Sequence, residues 1–151
     1  MKRGFGILAA ALYLALTASS ALAHHNHLYY YDQCKSVTIE GRVGSFEFTG
    51  PHARIVIRLD DGTTYTVDWM TPNNLRRNGI LEPATKGLAS GARVSVMGAP
   101  IRTAAEIRGD IPDFTRDVNP STIDAKLIRL VDDSFSWARP PAASPAKCDG
   151  K

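Results

Sequence analysis

All four histidines of this chain fall at His24, His25, His27 and His52, three of them within four consecutive positions. Imidazole nitrogens are the side-chain donors best suited to borderline transition metals, so the cluster points first to metal chemistry. If His24 is the first residue of a processed chain, its α-amine and its ring offer two nitrogens from one residue, in the manner of a histidine brace. Their ordinary pKa values, about 8 and about 6.5, let both bind a metal near neutral pH at modest cost. Nitrogen-rich donor sets favour Cu(II) over the other divalent first-row ions, so copper is the expected ion. His25 or His27 would add a third nitrogen, and His52 another if the N-terminal arm folds back. The plainer alternative is a solvated arm, with His52 a turn residue hydrogen-bonded to backbone after Pro51. Position three of the processed chain is Asn26, where a histidine would have made a stronger chelating terminus.

Catalytic constellations are not visible. Ser134 and Ser136 lie in no nucleophile elbow. Asp60 and Asp61 are adjacent in an Asp-Gly turn, and turn chemistry accounts for them. Asp110, Asp113 and Asp117 lack the spacing of a calcium loop, and no glycine-rich phosphate loop is present. Without a converging acid, base and nucleophile, the reading is a non-enzymatic binding protein. The two cysteines, Cys34 and Cys148, do not form a CxxC pair, which disfavours redox catalysis. In an exported chain they are expected to pair with each other, the alternative being that Cys148 sits in a tail and pairs poorly.

Export is what the first 23 residues imply. Lys2 and Arg3 form a basic start, Phe5 to Leu16 an apolar run, and Ala21-Leu22-Ala23 places small residues where a signal peptidase reads them. The apolar run is about a dozen residues, against about 20 for a spanning helix. Cleavage after Ala23 exposes His24 and predicts a periplasmic or secreted protein with no stable membrane insertion after processing. It also removes two cations, so the formal charge falls from +3 to +1. The remaining cations alternate with acids along the chain, and no nucleic-acid partner is expected.

Behind these residues lies a mostly β pattern. Val37, Ile39, Gly41 and Val43 alternate with polar residues, and Gly41 and Gly44 suggest a bend before Phe46 and Phe48. Ile55, Ile57 and Leu59 form a second alternating run. Asp60-Asp61-Gly62-Thr63 reads as a hairpin turn, and Tyr65, Val67 and Trp69 as the inward face of a third strand. Thr71-Pro72 opens a short helix with Leu75 inward and Gly79 as its stop. Val94 and Val96 mark a fourth strand and Ile123 to Val131 a fifth. Three strands, a helix and two strands give the element order of a five-stranded Greek-key barrel of the oligonucleotide/oligosaccharide-binding (OB) type; a plain β-sandwich is the alternative. The expected organisation is a leader at 1–23, a His/Tyr arm at 24–35 and a barrel at 36–131. Within the barrel, 101–120 reads as an irregular surface excursion, and a Pro-rich tail follows at 132–151. Tyr29-Tyr30-Tyr31 is expected to pack across the barrel opening, or to serve as a docking strip.

Several of these segments together resemble a family of small, secreted, uncharacterised bacterial proteins. The resemblance rests on His24-His25 after the leader and on the aromatic stretch and turn Phe46-Glu47-Phe48-Thr49-Gly50-Pro51-His52. It rests also on Trp69 followed by Pro72-Asn73-Asn74-Leu75-Arg76-Arg77-Asn78-Gly79, and on the glycine-bounded strand from Gly91 to Pro100. The chain departs from the pattern at Gly50, where asparagine is usual, and at Ile80, where an aromatic is usual. The resemblance implies an OB-like barrel outside the cytoplasm and carries no activity. Two functional expectations follow: copper binding through His24, His25, His27 and His52, or an envelope interaction module for a protein or glycan partner.

Overall fold

The computed structural model describes residues 27–80, 87–140 and Cys148. Six strands are present: β1 (Val37–Glu47), β2 (Arg54–Arg58), β3 (Thr64–Asp68), β4 (Arg93–Pro100), β5 (Thr122–Leu130) and β6 (Ser136–Ala138). Among the described residues three short helices accompany them: α1 (His27–Tyr30), α2 (Pro72–Arg77) and α3 (Ala104–Asp110). The sheet runs β3-β2-β1-β4-β5-β6, and a parallel pairing of β3 with β5 closes the first five strands into a barrel. That connectivity, with α2 between β3 and β4, is the OB-like fold expected from the sequence.

The barrel interior follows from period-two alternation. Ile39, Val43, Ile55, Ile57, Val67, Val94, Val96, Ile123 and Ile128 all turn inward and are buried. A register shift between Val43 and Ser45 bends β1 at Gly44, so one long strand serves both β2 and β4. Gly41 has a separate reason to be glycine: a Cβ there would lie 2.5 Å from the Arg58 carbonyl oxygen. The β2–β3 hairpin turns at Gly62 (φ +87°), and the Asp61 carboxylate accepts from the Thr63 amide at 2.8 Å, which lowers its pKa. Thr71 caps α2 by accepting from the Asn74 amide at 3.2 Å, and Leu75 plugs the barrel end fully buried.

Two stretches are more ordered than the sequence reading expected. Residues 104–110 of the excursion form α3, held by a capping box in which Thr103 and Glu106 satisfy each other's amides, with Ile107 buried beneath. The tail begins with a strand, not with irregular chain: β6 pairs with β5, and Trp137 meets the buried Trp69 edge-on at 5.2 Å. The prolines of the tail start only at Pro140, beyond this strand, and so leave its pairing intact. Cys34 and Cys148 are disulfide-bonded, with Cα atoms 5.3 Å apart and a sequence separation of 114. Among the described residues no helix is long and apolar enough to cross a membrane.

Candidate functional site

The β3–β5 closure sets Thr66 opposite Thr122, Val67 opposite Ile123 and Asp68 opposite Asp124. Val67 and Ile123 face the core, so by alternation the two threonines and the two aspartates face outward. Two carboxylates on one rung repel unless each is neutralised. The N-terminal arm and two arginines do this.

Tyr31 donates its hydroxyl to Asp68 Oδ2 at 2.5 Å, and Arg54 donates Nε to Asp68 Oδ1 at 2.9 Å. Two residues on, Gln33 donates Nε2 to Asp124 Oδ2 at 2.9 Å, while Arg139, from the chain after β6, makes an ion pair with Asp124 Oδ1. Lys126 closes the clamp by donating its ammonium to the carbonyls of Gln33 and Lys35, both at 2.9 Å, and to the Ser36 hydroxyl at 3.0 Å. Burial lowers the Lys126 pKa, opposed by the Asp124 charge. Burial first, and then the Asp68 charge and hydrogen bond, push the Tyr31 phenol far above the ordinary tyrosine range. The arm therefore lies along the outer face of the seam, not across the barrel opening.

Beside the arm this face stays open as a cleft of about 670 Å³. Its floor is Arg54, Thr66, Asp68 and Thr122, on β2, β3 and β5. Pro51 and His52, from the β1–β2 loop, form one side. The β4–β5 excursion supplies the other, with Phe114, Arg116, Asp117 and Asn119 on its far limb. Tyr30 closes the arm side, its ring 6.0 Å from Phe114 at an interplanar angle of 60°. Arg102 ties the two walls together: its amide bonds the Tyr30 carbonyl at 2.9 Å, and its guanidinium bonds the Tyr29 carbonyl at 3.1 Å and Asp110 at 2.5 Å.

The candidate histidines separate in this frame. His52 is half-buried on the cleft wall, and its Nδ1 lies 3.3 Å from the Trp69 carbonyl oxygen, the backbone contact of a turn residue. A carbonyl only accepts, so Nδ1 is the protonated nitrogen in this contact. His27 begins α1; His24 and His25 lie outside the described residues. Among the described residues no group of three or more His, Cys, Asp or Glu side chains is placed to hold a metal.

Sequence reading missed the site that the fold assembles. Asp68 sits on the polar parity of its strand and looked like an ordinary outward residue. Asp117, with Asp110 and Asp113, lacks a calcium-loop spacing and so carries no signal of its own. Phe114 and Arg116 carried no motif. One signal was available: Thr103-x-x-Glu106 is a capping box, and it marks the excursion as structured. Asp68 lines the cleft with each carboxylate oxygen engaged, Oδ2 by Tyr31 and Oδ1 by Arg54.

Fold and cleft together define a small closed OB-like barrel with a concave site outside β2, β3 and β5. The chain belongs to the family of unknown function DUF6152, whose profile matches residues 11–109. That span includes β1 to β4 and most of α3, and stops short of β5 and of Phe114 to Asn119. No curated protein gives a significant match. Among solved structures, the chain is similar to one from the S. pombe Stn1–Ten1 complex (12% identity, TM-score 0.42, 65% of this chain and 59% of that chain). Another is an aspartyl tRNA synthetase from Entamoeba histolytica (17% identity, TM-score 0.39, 74% of this chain and 20% of that chain). The chain thus spans less than two thirds of either structure.

Proposed function

We propose that this protein is an exported, non-enzymatic binding module whose ligand sits in the cleft over the β3–β5 seam. The observation that carries the reading is the cleft's position and finish. It lies on the β2–β3 face between the β1–β2 and β4–β5 loops, where OB-type barrels take their ligands. Its floor carboxylate is already hydrogen-bonded before any ligand arrives, as in a preorganised site. The leader pattern and the Cys34–Cys148 bond support export.

A thermal-shift screen of the processed protein, followed by calorimetry on hits, tests this. A ligand at a hundredfold excess over its Kd should add about 2.7 kcal/mol of stability. Arg116→Ala and Asp117→Ala should weaken its binding while the fold's own melting temperature changes little. Binding indifferent to both substitutions would reject the cleft as the site.

Copper binding through His24, His25, His27 and His52 is the second reading. One observation favours it: α1 starts at His27 and ends at the cleft wall formed by Tyr30, while His52 stands on the same cleft. Titration with Cu(II) after mass spectrometry has verified an N-terminal His24 is the test. A doubly substituted His24→Ala/His25→Ala protein should lose tight binding, and unchanged affinity removes these residues as ligands.

A further inference from the structure

We infer that the cleft's ligand is a neutral saccharide of a few rings; this rests on the reading of the cleft as the binding site. The first argument is charge. The permanent charges lining the cleft are the guanidiniums of Arg54 and Arg116 and the carboxylates of Asp68 and Asp117, equal in number and interleaved. Arg54 and Asp68 already offset each other, so an anionic chain laid here meets Asp117 beside Arg116, and a cationic one meets Arg116 beside Asp117. Either ligand is opposed wherever it is also attracted. A ligand without net charge, rich in both donors and acceptors, can use all four groups.

The second argument is shape and polarity. Tyr30 and Phe114 form an aromatic wall beside this polar floor. The face of an aromatic ring is its negative side, and it attracts the weakly positive C–H face of a pyranose. Hydroxyls around the sugar's rim then reach groups of mixed hydrogen-bonding character. Asp117 accepts, Arg116 donates, and the Asn119 amide and the Thr66 and Thr122 hydroxyls do both. A nucleotide could stack on the same wall, but its phosphates would meet the Asp117 carboxylate in the same stretch as Arg116. The volume, about 670 Å³, falls within the range that encloses drug-sized ligands, the size class of a di- or trisaccharide.

The test is a titration of the full processed protein by amide-resolved NMR. The probes are cellotriose, maltotriose and tri-N-acetylchitotriose, with trigalacturonate, ATP and Cu(II) as charged counterparts. We expect a neutral trisaccharide to shift amides at residues 52–54, 66–68, 114–119 and 121–122. Phe114→Ala should weaken that binding about tenfold, Phe114→Tyr should restore it, and Asp117→Asn should weaken it several-fold. Melting curves of each variant separate lost binding from lost folding. If only charged probes move the cleft amides, the saccharide assignment falls and the cleft reading stands. If neutral saccharides bind but ignore Phe114 and Asp117, the assignment of this site falls. If no probe of either set moves these amides, both inferences fall together.

Discussion

Asp68 and Asp124 occupy the same rung of the barrel seam, and each accepts from one arm residue and one arginine. Yet the Asp124 side chain is 0% exposed and the Asp68 side chain 14%, with its partner Arg54 half in solvent at 51%. The difference lies in what covers them. Over Asp124 converge the arm, the residues after β6 and the Lys126 clamp, whereas beside Asp68 the β1–β2 loop and the excursion stand apart and leave a cleft. The same residue type at paired positions is thus a structural tie on one strand and part of the floor of an open cleft on its neighbour.

That contrast can be broken in order of expected effect. Removing the disulfide with Cys34→Ser releases a loop whose closure is worth about 4–5 kcal/mol at best in the chain-entropy picture. Denaturant unfolding should show most of that loss, and a loss near zero would mean that the polar clamp alone holds the arm. Asp124→Ala leaves Arg139 and Gln33 without their acceptor in a buried setting and should cost about 3–5 kcal/mol. Asp68→Ala strands mainly the Tyr31 hydroxyl, since Arg54 can turn to water, and should cost about 1–3 kcal/mol. Equal costs for the two aspartates would remove the distinction between tie and floor.

The smallest effect concerns alkaline pH. The Tyr31 phenol has a raised pKa in the folded protein, so unfolding makes its proton easier to lose. Its contribution to stability is complete below the unfolded value of about 10 and declines as pH rises above it. Stability measured from pH 9 to 11 should therefore fall more steeply for the wild type than for Tyr31→Phe. Parallel curves would mean that Tyr31 is not held as its bond to Asp68 implies.

Much of the barrel was legible because its signals are local. Alternation at Ile55-Val56-Ile57, the Asp-Gly turn and the Thr71-Pro72 helix start each act within a few residues, and each appears where expected. The glycine bend in β1 was legible for the same reason. α3 and β6 escaped because neither has a long apolar period. α3 buries only Ile107 of its seven residues, and β6 is three residues whose strand character comes from pairing with β5. The cleft was not legible because its residues come from the arm, two loops and three strands, with no common spacing.

Read alone, the chain determined the alternation that fills the barrel and the turns and caps that divide it, since these depend on neighbours in sequence. Tertiary structure alone decided that Asp68 meets Asp124, that Tyr31 and Gln33 reach them, and that Tyr30 and Phe114 share a cleft wall. Those contacts join residues up to 91 positions apart. They exist only because closing β3 onto β5 fixes a register that no local pattern encodes.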